Sequence, residues 1–70
     1  MYVLIRNRQS GIVEDVELFQ KNEEAINWAV EYFASGPIEK VDLREHLMWS
    51  ATPFEDKNFI ITIIRKAVHS

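Results

Sequence analysis

Seventy residues make one small domain, and a chain this short buries only a modest share of its surface. It has no cysteine, which excludes disulfides and thiolate metal sites and leaves oligomerisation as the staple open to it. Eight basic against eleven acidic side chains give a net charge of −3, which argues against a nucleic-acid binder, because phosphate contacts supply most of that affinity.

The chain opens "MYVLIRNRQSG". Its first apolar run, Tyr2 to Ile5, is too short for a signal-peptide core or a membrane span. With no cysteine to oxidise, the expectation is an intact soluble protein of the cytoplasm with no membrane contact. "YVLIRNR" and "IVEDVELF" flank "QSG", which reads as a β-hairpin. A two-residue loop at Ser10-Gly11 pairs Val3 with Leu18, Ile5 with Val16 and Arg6 with Asp15. That sorts Val3, Ile5, Val16 and Leu18 onto one face, and Leu4, Arg6, Asp15 and Glu17 onto the other. A three-residue loop with Gly11 left-handed is also good turn chemistry. It shifts the pairing by one and mixes the faces, so the first register is favoured.

Residues 22–35, "NEEAINWAVEYFAS", read as a helix capped by Asn22, with Glu23 and Glu24 at its positive end. Ile26, Ala29, Val30 and Phe33 form its core stripe. Gly36 is expected as a left-handed C-cap, with Pro37 beyond it. "PIEKVDLREHLMWS" admits two readings. As a strand it places Val41, Leu43, Leu47 and Trp49 on one face, interrupted by Glu45. As a helix, Asp42 would cap it with Glu45 at capping-box spacing. The strand explains more apolar positions and is the expectation. "SATPFEDKN" reads as a loop and "NFIITIIRKAV" as a β-branched strand. The order β-β-α-β-β predicts a two-layer α+β domain, one helix on a mostly antiparallel four-stranded sheet.

"FIITII", residues 59–64, is apolar on both faces of a strand. Phe59, Ile61 and Ile63 point one way; Ile60, Thr62 and Ile64 point the other. One helix covers one sheet face, so one set is left over, forgoing roughly 1.5–3 kcal/mol per large side chain. Self-association through Phe59, Ile61 and Ile63 is expected to cover it, which makes the protein a homodimer. A second surface is Trp28 and Tyr32, one helical turn apart beside Glu24 and Glu31; Trp and Tyr carry much interface energy. They lie in an acidic segment: residues 14–31 hold six acids and one base. Such a segment suits a basic partner.

Chemistry is hard to find. The two glycines, Gly11 and Gly36, do not make a phosphate loop, and no serine sits in a nucleophile elbow. His46 beside Arg44 or Lys40 would suit a small nuclease; His69 is penultimate. Asp42 and His46 alone are a weak pair of ligands, so neither metal nor cofactor is expected. Arg6, Arg8, Arg65 and Lys66 would serve a nucleic-acid-binding regulator if the fold gathered them. No family's signature residues are present. In size, α+β layout and want of catalytic residues the chain resembles small stand-alone proteins of phages and mobile elements, among them anti-CRISPR inhibitors. That resemblance implies a viral inhibitor in the host cytoplasm that masks or bridges a partner protein. The reading is a non-catalytic, protein-binding module rather than an enzyme. Trp28, Tyr32, Glu24 and Glu31 are its partner-binding residues.

Overall fold

The computed structural model describes residues 1–50, 52–56 and 58–66. Strands β1 (Tyr2–Arg8) and β2 (Val13–Phe19) form the hairpin. Helices α1 (Asn22–Phe33) and α2 (Pro37–Trp49) follow, then strands β3 (Phe54–Glu55) and β4 (Phe59–Arg65). The strands form one antiparallel sheet in the order β2-β1-β4-β3. The class is α+β as expected, with two helices rather than one.

Both hairpin readings contribute to the turn. Gly11 has φ +105°, its N–H donates to the Arg8 carbonyl at 2.8 Å, and the Arg8 N–H donates to the Ile12 carbonyl at 2.7 Å. This is the three-residue loop, and only glycine takes that φ cheaply. Its register would mix the faces. The chain corrects this with a β-bulge: Asn7 pairs with Val13 but Arg6 with Asp15, so Glu14 is the extra residue. Below the bulge Ile5 meets Val16 and Val3 meets Leu18, the pairing that segregates apolar from polar.

β4 pairs with β1 along its whole length, Leu4 opposite Ile63, Arg6 opposite Ile61 and Arg8 opposite Phe59. Cross-strand partners share a face. Leu4, Ile61 and Ile63 therefore point toward the helices, with Leu4 fully buried and Ile61 3% exposed. Ile26, Ala29 and Val30 of α1 and Leu43 of α2 close the core from above. Phe54, within the stretch read as a loop, pairs with Ile61 and packs on this core.

Residues 37–49 are helix, not strand. Gly36 (φ −120°, ψ 164°) is extended and serves as the N-cap of α2 rather than as a left-handed C-cap of α1. Pro37 follows at the first turn, where its missing N–H costs nothing and its φ is preset. Glu39 accepts from the Ser35 hydroxyl at 2.9 Å, and Asp42 lies inside the helix rather than at its start. The strand reading was attracted by Leu43 and Leu47, but four residues apart is also one helical turn. The helix buries those two against the sheet and leaves Val41 and Trp49, which a strand would have buried with them, 55% and 81% exposed. α1 begins at Asn22 with Lys21 as its cap residue, and no side chain caps it.

Leu4→Ala should lower the unfolding free energy by about 2–5 kcal/mol in a urea titration. Val16→Ala, on the opposite sheet face, should cost under about 1 kcal/mol in dilute protein. Equal costs would contradict the assignment of faces.

Candidate interaction surfaces

The outer sheet face answers what lies behind "FIITII". Pairing sets Leu18, Val3 and Ile64 in one row, Val16, Ile5 and Thr62 in the next, and Val13, Asn7 and Ile60 in the third. On β2, β1 and β4 these rows hold no charged side chain, and β3 ends the third row with Glu55, the partner of Ile60. Val13, Val16, Leu18 and Ile64 are 44–61% exposed, and no element of the described chain covers them. The left-over set on β4 is thus Ile60, Thr62 and Ile64. Phe59, Ile61 and Ile63, the expected self-association residues, lie on the helix side: Ile61 is in the core, Ile63 packs against it, and Phe59 stacks on Arg6.

The flank of α1 forms a second surface. Trp28 stacks on Tyr32 (4.7 Å between centroids, 29°) and meets Phe33 edge-on at 5.2 Å and Phe19 at 5.8 Å. Trp28 is half-buried by these contacts, while Tyr32 stands 70% exposed. α2 docks on the other side of α1, through Arg44 donating to the Asn27 side chain at 2.6 Å and Lys40 paired with Glu31 at 3.5 Å. The Trp28–Tyr32 flank therefore faces the β2 edge of the sheet. Glu24 is exposed, as is Glu31, but Glu31 leans toward α2. Of the four expected partner-binding residues, Tyr32 and Glu24 are open on this flank, Trp28 is half-buried within it and Glu31 is turned toward α2.

Arg6 is held by three neighbours at once. Its guanidinium lies between the rings of Phe33 and Phe59, 4.5 Å from each centroid. Its Nε is 2.8 Å from the Asp15 carboxylate, but without hydrogen-bond alignment, so the two meet as charges. Arg8 pairs with Glu14, the bulge residue. A cleft of about 300 Å³ opens beside Arg6, walled by Phe33, Leu43, Phe54 and Phe59 with Glu39 and Asp42 at its rim.

The remaining candidates are dispersed. Antiparallel pairing puts Arg65 beside Tyr2, at the opposite end of β1 from Arg6 and Arg8. The two basic pairs are roughly 20 Å apart at about 3.4 Å per residue. Lys66 continues that far end, its N–H bonded to the Met1 carbonyl at 2.8 Å. His46 holds the loop after α2: its Nε2 is 2.9 Å from the Thr52 carbonyl, and its ring meets Phe54 edge-on at 5.3 Å. Bonded to a carbonyl, Nε2 carries the hydrogen, so it acts as a donor there. Among the described residues, no group of three His, Asp or Glu side chains is placed to hold a metal. His69 lies outside the described residues.

The strand reading of residues 37–49 hid one further surface. On α2, Ile38, Val41 and Met48 recur at helical spacing on the solvent side, 50–77% exposed, with Trp49 beside them. Compared with family models, curated proteins and solved structures, the chain matches none. No helix of the described residues is long and apolar enough to cross a membrane.

Arg6→Lys keeps the charge but not the plane that two rings grip, and should cost about 1–2 kcal/mol by urea unfolding. Unchanged stability would mean that charge alone holds the site.

Proposed function

We propose that this protein is a non-catalytic binding module that associates with itself through its outer sheet face and holds a protein partner on the flank of α1. The observation that carries the reading is the outer face itself, three rows of mostly aliphatic side chains on β2, β1 and β4, with one carboxylate, Glu55, at their β3 end. Contiguous exposed apolar patches of a few hundred Å² mark interaction sites. A second copy fits this one because the aliphatic rows neither repel their own image nor call for an opposite charge, and the single carboxylate, Glu55, lies at the β3 margin.

The size of the patch sets the strength expected. Three seven-residue strands at about 3.4 Å per residue, about 4.8 Å apart, give a footprint of roughly 340 Å² per protomer. Two such footprints fall below the area of a stable interface and suit a weak, transient dimer that dissociates on dilution. Pairing sheet to sheet would leave both α1 flanks outward, so a dimer would present two copies of the Trp28–Tyr32 surface. Such an arrangement can bridge two partner molecules, and a single flank can mask one. Both are mechanisms open to a small inhibitor of the phage type.

Leu18→Glu puts a charge into the proposed interface at the most exposed of its apolar side chains and should give a monomer of 8.2 kDa in sedimentation at concentrations where the parent approaches twice that mass. Val41→Glu, on the exposed stripe of α2, should leave the mass distribution of the parent. If Val41→Glu splits the dimer and Leu18→Glu does not, α2 is the self-association surface and the reading fails.

A further inference from the structure

β2 is an outer strand of the sheet, and no strand of the described residues pairs its free edge. Below the bulge at Glu14, alternate residues of β2 turn their backbone N–H and C=O groups away from β1, a template for another strand. The side chains along it select what can be added. A second β2 is disfavoured: antiparallel pairing about the midpoint, Val16, would set Asp15 of one copy opposite Glu17 of the next. Like charges directly opposite destabilise a pair of strands. The same carboxylates welcome a basic strand. Asp15 and Glu14 are already matched by Arg6 and Arg8, whereas Glu17 has no ion pair among the described residues.

The two faces of this edge differ. Leu4, opposite Glu17, points to the helices, so Glu17 lies on the helix side, as does Phe19. On that side Trp28 contacts Phe19 at one end of the edge, and Phe33 contacts Arg6, the partner of Asp15, at the other. The Trp28–Tyr32 flank runs between those points, above the open edge. On the other side of the sheet, β2 presents Val16 and Leu18.

We infer that the β2 edge takes an extended segment of the partner protein as a fifth strand, with alternate side chains basic and apolar. The basic ones lie beside Glu17 beneath the Trp28–Tyr32 ledge, where an ammonium or guanidinium group meets both a carboxylate and aromatic faces. The apolar ones extend the rows of Leu18 and Val16. Backbone hydrogen bonds supply affinity and the alternation supplies specificity. This rests on the proposal that the α1 flank holds a protein, and names the shape and charge of what it holds.

The test is fluorescence anisotropy, at low salt, with a labelled synthetic peptide of β2's length, seven residues, alternating Lys and Val. Two control peptides accompany it: one with Glu for every Lys, the other N-methylated at each interior amide. The Lys–Val peptide should bind. The Glu peptide and the methylated peptide should not. Glu17→Lys, an exposed substitution, should weaken binding about fivefold. Equal binding of the methylated peptide would reduce the effect to charge attraction and overturn strand addition. No binding of the Lys–Val peptide would overturn it as well. If Trp28→Ala/Tyr32→Ala leaves binding intact while methylation abolishes it, the edge stands and the α1 flank reading falls. If the reverse holds, the flank stands and the edge falls.

Discussion

The pairing of β1 with β4 fixes which side of every strand is inside. Leu4 opposite Ile63 and Arg6 opposite Ile61 bring the first and last strands together at the centre of the sheet. Side chains alternate along a strand, so that one register commits Leu4, Ile61 and Ile63 to the helices and Val3, Ile5, Ile60, Thr62 and Ile64 to the other side. The rest adjusts to it. β2 must match β1 despite a three-residue turn, and the bulge at Glu14 supplies the missing step. Two helices, α1 over the β2 side and α2 over the β3 side, then cover the chosen face and leave none for the other.

Arg6 is a polar concession on the covered face, which also carries Asp15 and Glu17 at its β2 margin. Position 6 falls on the helix side by alternation, next to Leu4 and opposite Ile61. A charge there is tolerated because the ion is weakly hydrated, flat and gripped on both sides by Phe33 and Phe59, with Asp15 beside it. It ties α1, β1, β2 and β4 together at the end of the sheet where the turns also meet. There the Gln9 side chain donates to the Asp56 carbonyl at 2.8 Å, and its backbone N–H to that of Asn58 at 3.0 Å.

Much of this was legible from residue order. The hairpin, the helix from Asn22, the last strand and the α+β class follow from periodicity and turn residues. The pairing of Val3 with Leu18 follows from the rule that a register serves its buried face. That rule does not say which face is buried. The Val3–Ile5–Val16–Leu18 face is the more apolar side of the hairpin, yet it is the open one, because β4 brings Ile61 and Ile63 to the other. Such a choice depends on a partner strand some sixty residues away and has no local signal. The helix at 37–49 was lost for a different reason: Leu43 and Leu47 satisfy both periods, and the Gly36-Pro37 pair ends one helix as readily as it starts another. The Trp28–Tyr32 pair was legible as a helical neighbour pair. The relation of that pair to the β2 edge required the position of α2.

The proposed function requires a second copy over the outer face. The most direct measurement is methyl relaxation enhancement by a soluble paramagnetic probe, taken over a concentration series. The methyl groups of Val16, Leu18 and Ile64 should lose their exposure to the probe as concentration rises, while those of Ile38 and Val41 on α2 keep theirs. Outer-face methyls that stay fully exposed in concentrated protein would contradict it.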